Sequence, residues 1–303
     1  MLYISRLLTV MLCLTFVLSG CFSRPAAEPK ASAKPIVAVS IVPQESWVKA
    51  IAGDLVEVVT LIPPGKSAET YSPTPQQMTQ FSKASLYFVM QVPAETASIL
   101  PKVRDLNPKV RIIDLAAASR AVYPELELEE HGHEHGQGHA HEERDPHIWL
   151  SPKRAIVMVQ TTAAELAAFD PQNKAVYEKN AQDYLVKLRQ LDQTIQNLLK
   201  DSKSKTFIIY HPSLGYFAND YGLNMLALEA GGKEATPQEL QKTIERAKKE
   251  NFKAILYEEE MDSRQAKTFA AEIGGVTQKI SPFAADYIGG LESIAKTLAE
   301  GAR

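Results

Sequence analysis

Short runs rich in β-branched residues alternate with runs of helical periodicity along most of this chain. Strands are predicted at 36–42, 56–62, 86–90, 110–115, 206–210 and 254–257. Between them, apolar residues recur at spacings of three and four, which predicts helices. Strand–helix–strand alternation favours mainly parallel sheets flanked by helices. The sequence therefore predicts an α/β protein with one such series before residue 124 and a second after residue 205.

Two long helical patterns separate the two series. Ser151 and Pro152 open one that runs to about Phe169, and Asp170-Pro171 opens a second that runs to about Lys200. The apolar residues predicted to face inward on the second helix are Val176, Tyr184, Leu188, Leu191, Ile195 and Leu198. A helix of about thirty residues is about 45 Å long, which is longer than a small domain needs. We therefore expect two Rossmann-like α/β lobes joined by a long backbone helix, with a ligand cleft between the lobes near the strand ends.

The first twenty residues are typical of an export signal rather than of folded structure. An apolar run at 7–18 is too short to span a bilayer comfortably and ends in Leu18-Ser19-Gly20-Cys21. This ending resembles the bacterial lipoprotein box, in which the cysteine is lipidated and the chain is cut before it. We predict a signal peptide over 1–20, a lipid anchor at Cys21 and a Pro- and Ala-rich tether over 21–35. An ordinary cleaved signal with a chance cysteine is the alternative.

The remainder divides into an N-terminal lobe at 36–150, linking helices at 151–204 and a C-terminal lobe at 205–303. Within the first lobe, residues 124–144 are acidic and histidine-rich and contain nothing from which a core can be built, which predicts a loop. Five of the seven histidines lie there: His131, His133, His135, His139 and His141. Because they alternate with Gly and Glu, they predict flexible, low-specificity metal capture; a solvated loop without a metal role is the alternative.

Charge and cysteine content exclude two classes of function. Lys plus Arg number 33 and Asp plus Glu 36, a net charge of −3 that gives no electrostatic reason to bind nucleic acid. The chain has only two cysteines, which excludes a disulfide scaffold and a cysteine-rich zinc module.

The two histidines outside the loop are candidate metal ligands. His147 lies in Asp145-Pro146-His147-Ile148-Trp149-Leu150, and His211 directly follows the strand predicted at 206–210. A histidine just beyond a strand end faces the ligand cleft, and imidazole is the commonest metal ligand among side chains. Either histidine alone is more often structural. The pair, in a chain that also carries a histidine tract, favours ligands.

Four segments resemble the solute-binding lipoproteins of bacterial zinc and manganese ABC importers. Residues 69–75, Glu-Thr-Tyr-Ser-Pro-Thr-Pro, resemble that family's His-x-Tyr-x-Pro-x-Pro motif, and residues 145–150 resemble its second ligand motif. Residues 211–223, from His-Pro-Ser-Leu-Gly-Tyr-Phe onward, resemble its third, and residues 281–287 resemble a late Asp-Pro-Leu segment. The likeness covers nearly the whole mature chain in the family's order.

The resemblance implies a metal site and shows two departures from the pattern. Glu69 stands where the family has histidine, and Ser281 stands where it has aspartate. The implied ligands are Glu69, His147 and His211, with Glu258, after the strand at 254–257, as a fourth. Its neighbours Glu259 and Glu260, or a water molecule beside Ser281, are the alternatives at the fourth position. Two imidazoles and a carboxylate suit zinc, and two carboxylates also suit manganese. The histidine tract makes Zn²⁺ the preferred ion and leaves Mn²⁺ as the alternative.

The resemblance also implies a function without catalysis. The chain is expected to capture Zn²⁺ outside the cytoplasm, as a monomer anchored to the bacterial membrane in the periplasm or on the cell surface, and to deliver it to an ABC permease and its ATPase. A zinc hydrolase, with Glu69 or Glu258 as general base, is one rival. The sequence has no His-Glu-x-x-His or Gly-x-Ser-x-Gly motif to support it. A surface adhesin is another rival, without independent support.

Overall fold

Two parallel four-stranded sheets form the framework of the molecule, one from each half of the chain. The computed structural model describes residues 33–126, 144–202, 204–230, 233–234, 236–261 and 264–301. The predicted signal peptide, Cys21, most of the tether and the five clustered histidines lie outside these residues. Among the described helices, none combines the length and the apolar character needed to cross a membrane.

The first sheet contains β1 (Ile36–Val39), β2 (Glu57–Thr60), β3 (Leu86–Val89) and β4 (Arg111–Asp114) in the order β2-β1-β3-β4, with every pairing parallel. The sheet is accompanied by five helices: α1 (Val42–Ala52), α2 (Pro75–Phe81), α3 (Pro93–Ser98), α4 (Val103–Leu106) and α5 (Leu115–Arg120). Thr74 caps α2 by accepting a hydrogen bond from the Gln77 backbone N–H. The segment that contains Glu69 leaves the sheet at the carboxyl end of β2 and leads into α2.

The linking helices are α6 (Pro152–Phe169) and α7 (Lys174–Lys200). The predicted inward face of α7 is partly wrong: Val176 is 44% exposed, whereas Tyr177 is fully buried. The helix begins at Lys174, after a 3-10 turn at Pro171–Asn173. Tyr177 lies about three helical turns before Leu188 and so shares its buried face, whereas Val176 lies off that face. The buried face consists of Tyr177, Ala181, Leu185, Leu188, Leu191, Ile195 and Leu199.

The second sheet contains β5 (Thr206–Ile209), β6 (Asn224–Ala227), β9 (Ala254–Glu258) and β10 (Val276–Ile280) in the parallel order β10-β9-β5-β6. A small antiparallel hairpin, β7 (Glu229–Ala230) and β8 (Lys233–Glu234), follows β6. The helices of this half are α8 (Gly215–Tyr221), α9 (Pro237–Lys249), α10 (Arg264–Glu272) and α11 (Tyr287–Gly301). The edge strands β6 and β10 were not predicted, because β6 has no β-branched residue and three of the five residues of β10 are polar.

One hydrophobic core runs between the two sheets along α7. It includes Trp47 from α1, Leu188 from α7 and Tyr287 from α11, all at most 3% exposed. Smaller cores lie on the other side of each sheet. The long helix thus packs against helices from both halves of the chain. The predicted fold class, two α/β lobes joined by a long helix, is confirmed.

Candidate metal centre

Two imidazole nitrogens and one carboxylate oxygen converge between the lobes. The Nε2 atoms of His147 and His211 lie 3.3 Å apart, and Glu69 Oε1 lies 3.7 Å from the first and 3.9 Å from the second. Ligand atoms about 2.0–2.1 Å from a tetrahedral zinc ion are about 3.3 Å from one another. The two nitrogens therefore already have the spacing of one edge of such a shell, and the carboxylate lies a few tenths of an ångström farther out.

Glu69 lies in the segment between β2 and α2, which hydrogen bonds hold to the first lobe. Its backbone N–H donates to Ser67 Oγ at 3.1 Å, and the neighbouring carbonyl of Ala68 accepts from the Ala94 N–H at 2.8 Å. Farther along, the hydroxyl of Tyr71 donates to Gln77 Oε1 at 2.8 Å. The carboxylate of Glu69 is thus presented on a loop anchored to α2 and α3.

His147 is oriented by Asp145. The carboxylate oxygen Oδ1 of Asp145 lies 2.8 Å from His147 Nδ1 and also accepts the His147 backbone N–H at 2.8 Å. With the proton on Nδ1 facing Asp145, the lone pair on Nε2 points at the cleft, which is the arrangement of a metal-binding histidine. His147 is only 5% exposed. Trp149, whose indole N–H donates to the Pro282 carbonyl at 3.0 Å, lies beside it.

His211 has a carboxylate partner of its own. Its Nδ1 lies 3.2 Å from Glu229 Oε2, which again leaves Nε2 for the cleft. Neither Glu229 nor Asp145 was predicted to have a role in the site. The available signal for Glu229 is its position just beyond the carboxyl end of β6, a strand that the sequence pattern did not predict.

Negative charge dominates the surroundings of the two histidines. Burial lowers the pKa of His211, but the hydrogen bond that its ring donates to Glu229 and the charges of Glu258, Glu229 and Glu69 outweigh it, so the pKa lies above its usual value of 6.5. The same field attracts a divalent cation. The site can therefore hold either a proton or a metal ion on His211.

Glu258 lies in the same cavity but outside the triangle. At the end of β9 it is 3% exposed; its Oε1 accepts from Ser213 Oγ at 2.5 Å, and its Oε2 is buried without a hydrogen-bond partner in the described structure. Burial raises the pKa of this carboxyl, while the Ser213 bond and the two histidines lower it. In the part of the chain that the structure describes, the group of ligand atoms within 4.8 Å of one another is Glu69, His147 and His211.

The cavity around these groups has a volume of about 20 Å³, which is room for one ion or one water molecule. It is lined by Ser67, Ala68, Glu69, His147, His211, Ser213, Glu258, Glu260, Met261, Pro282 and Phe283. Of the two departures seen in the sequence, Glu69 lines this cavity, whereas Ser281 is not among its described lining residues. The five loop histidines lie outside the described residues.

Comparison with known proteins gives a family match over nearly all of the folded chain. The model of the family "zinc-uptake complex component A, periplasmic" matches residues 37–301. The zinc-binding lipoprotein AdcA of Streptococcus pneumoniae R6 is 31% identical over 279 residues, which cover 91% of this chain and 54% of AdcA. The high-affinity zinc uptake system protein ZnuA of Bacillus subtilis 168 is 31% identical over 283 residues, covering 88% of this chain and 86% of that protein. The chain thus spans about half the length of the AdcA relatives.

Solved structures show the same architecture. A crystal structure of ZnuA has a TM-score of 0.80 at 33% identity and covers 89% of this chain and all of that one. A zinc-bound deletion mutant of ZnuA has a TM-score of 0.78 at 34% identity, covering 88% and 97% of the two chains. The periplasmic zinc-binding protein TroA of Treponema pallidum, at 19% identity and a TM-score of 0.76, shares the fold.

Proposed function

The chain belongs to the family of the periplasmic component A of zinc-uptake complexes, and on that premise we propose that it is an extracytoplasmic solute-binding protein that captures Zn²⁺ for import. The observation that carries the proposal is the convergence of two buried imidazole nitrogens and one carboxylate oxygen between the lobes. The AdcA and ZnuA relatives are named for zinc binding and zinc uptake. Members of this family are components of zinc-uptake complexes, and we propose no enzymatic activity for this chain.

The residues we propose as zinc ligands are His147, His211 and Glu69, with Glu258 as the fourth. Asp145 and Glu229 fix the ring orientation of the two histidines, as carboxylate partners of metal-binding histidines do. Glu258 is supported by its buried, unpartnered Oε2 in the same cavity. A carboxylate from β9 would supply the negative charge that the neutral Ser281 hydroxyl does not.

Zinc is the metal we propose in preference to manganese. Both imidazoles present nitrogen, for which zinc has the higher affinity in the divalent series. The carboxylates Glu69 and Glu258 alone would suit manganese, which favours oxygen ligands. Elemental analysis of the protein purified without added metal distinguishes the two: zinc in near-stoichiometric amount supports the proposal, and manganese in its place contradicts it.

The proposal also covers the location of the protein and the partner that receives the ion. We propose a lipid anchor at Cys21 followed by a tether over 21–35, which holds a monomer at the outer face of a bacterial membrane. The proposed lobes are residues 36–150 and 205–303, and the helices that link them are residues 151–204. The loop at 124–144, with its five histidines, gathers zinc at low affinity, and an ABC permease with its ATPase accepts the ion from the cleft.

A zinc titration of the metal-free protein at neutral pH, in competition with a chromophoric chelator, tests the proposal. The parent should show one tight site and additional weak sites. Deletion of residues 127–141 should remove only the weak sites, whereas the double variant His147→Ala, His211→Ala should lose the tight site. Tight binding by the double variant would show that the site is assigned to the wrong residues. Turnover of ester or peptide substrates by the zinc-loaded protein would instead favour a hydrolase.

A further inference from the structure

Helix α8 connects the two histidines through its first residue. It begins shortly after His211, and Gly215 at its start lies against Asp145, the residue that orients His147. A Cβ atom on Gly215 would lie 2.3 Å from Asp145 Oδ2. The carboxylate has little freedom to move away, because its other oxygen holds both the backbone and the ring of His147. The absence of a side chain at 215 thus allows the helix to approach the partner of His147.

The other end of α8 is tied to the segment that follows His147. Asp220 Oδ2 accepts from Ser151 Oγ at 2.6 Å and from Arg154 Nε at 2.8 Å, and its Oδ1 accepts from Arg154 Nη2 at 3.1 Å. The Asp220 carbonyl accepts from Lys153 Nζ at 2.7 Å. Two parallel bonds between guanidinium and carboxylate fix orientation as well as distance. The helix that leaves His211 and the chain that leaves His147 are therefore fastened together a second time.

Arg154 is itself held rigidly. It is 1% exposed, its Nη1 donates to the Pro124 carbonyl at 2.7 Å, and its guanidinium carbon lies 4.3 Å from the ring centre of Tyr216. The ring of Tyr123 lies 5.4 Å away. Removal of one partner of such a buried ion pair strongly destabilises the fold, because the other charge is left buried and unpaired. The position of the pair fits a role in fixing the geometry of the neighbouring segments.

We infer that α8 sets the distance between His147 and His211, with Asp220, Arg154 and Gly215 as positioning residues. This inference rests on the proposed function and deepens it. Glu69, by contrast, is held by hydrogen bonds within the first lobe. The two imidazoles, one at the end of the first lobe and one in the second, thus form a preassembled half-site, and the carboxylate of Glu69 joins them from the loop anchored to α2 and α3.

A double-mutant cycle between Asp220 and His147 tests the inference. Zinc affinity is measured by chelator competition for the parent, Asp220→Asn, His147→Ala and the double variant. Asp220→Asn should weaken binding about tenfold in the parent and hardly at all beside His147→Ala, because Asp220 acts through the position of that histidine. Zinc-edge X-ray absorption should count two imidazoles in the parent and fewer in Asp220→Asn. A Glu69→Gln variant should retain both.

The matched control is Asp170→Asn. Asp170 is also a hydrogen-bonded aspartate, since its Oδ2 accepts from Asn173 Nδ2 at 2.6 Å and from the Tyr177 hydroxyl at 3.0 Å, but it lies at the junction of α6 and α7. Its substitution should lower thermal stability without changing zinc affinity. This separates a positioning role of Asp220 from a general loss of stability.

Three outcomes decide the matter. An equal loss of zinc affinity in both backgrounds, or no loss in either, overturns the inference that α8 positions the two histidines. If Asp220→Asn does not fold, Ser151→Ala, which removes a single hydrogen bond to Asp220, enters the same cycle with an expected loss of about threefold. If the parent itself does not bind zinc tightly, the proposed function is overturned, and the positioning role of α8, which rests on it, is overturned as well.

Discussion

The Nε2 atoms of His147 and His211 lie 3.3 Å apart, although 64 positions separate the two residues in the sequence. Each ring is paired through Nδ1 with a carboxylate, Asp145 for one and Glu229 for the other. Both free nitrogens therefore face the same small cavity, at a spacing that matches the edge of a tetrahedral zinc shell.

Substitution of Asp145 should weaken zinc binding without removing a ligand. Asp145→Asn removes the negative charge that accepts the Nδ1 proton of His147, so Nε2 becomes a poorer electron-pair donor to the metal. We expect a loss of about tenfold to a hundredfold in zinc affinity, measured by chelator competition. Asp170→Asn is the control and should bind zinc like the parent. Unchanged affinity in Asp145→Asn would show that this hydrogen bond does not tune the site.

Substitution of Glu229 should lower the pKa of His211. Glu229 is the largest of the contributions that raise this pKa, and its removal takes away a charge that stabilises the imidazolium form. An NMR titration of the His211 ring protons in metal-free Glu229→Gln should show a midpoint below that of the parent. A midpoint equal to or higher than the parent's would contradict the pairing. Zinc affinity should also fall, because the ring loses its orienting partner.

Zinc affinity should decrease as the pH falls. The ion and a proton compete for Nε2 of His211, whose pKa in the metal-free protein is above its usual value of 6.5. Weakening should therefore begin above pH 6.5 rather than below it. Conditional dissociation constants measured from about pH 8 to about pH 5.5 check this expectation, since that range covers the ordinary titration of histidine. A flat profile down to pH 6 would mean that no histidine proton is displaced by the metal.

Glu258→Gln should separate binding from stability. The substitution removes a buried carboxyl whose pKa is raised by burial, and such a group destabilises the fold as the pH rises through that pKa. The thermal midpoint of the metal-free variant at neutral pH should therefore equal or exceed that of the parent. Zinc affinity should fall more than about tenfold if the carboxylate is a ligand.

Glu260→Gln is the matched control for Glu258. Its carboxyl lines the same cavity, has a pKa raised by burial to about 7, and also has a buried oxygen without a hydrogen-bond partner in the described structure. We expect it to bind zinc nearly as the parent does. An affinity loss in Glu260→Gln, with none in Glu258→Gln, would assign the fourth position to Glu260.

The central strands β1 and β3 of the first sheet were predictable because they are runs of mostly buried apolar residues. Leu86–Val89, for example, is buried along its whole length and reads as a strand without reference to the rest of the chain. The edge strands Asn224–Ala227 and Val276–Ile280 were not predicted, because the first has no β-branched residue and the second has polar residues at three of its five positions. Val176 was wrongly placed on the buried face of α7 because it lies one position before Tyr177, the residue that continues the helical repeat of that face.

The candidate ligands were recognisable from sequence, and their partners were not. Glu69, His147, His211 and Glu258 were predicted from motif resemblance and from their positions beyond strand ends, and their role stays a prediction. The pairing of His211 with Glu229 depends on where β6 and its hairpin place a carboxylate. The tie between Asp220 and Arg154 likewise joins two distant segments. Neither relationship leaves a local pattern in the sequence.

The most direct test of the central claim is a crystal structure of the zinc-loaded protein with anomalous data collected at the zinc edge. A single strong peak should lie between the lobes, about 2.0–2.2 Å from Nε2 of His147, Nε2 of His211 and a carboxylate oxygen of Glu69. A peak elsewhere, or zinc bound with either imidazole turned away from it, would contradict the account.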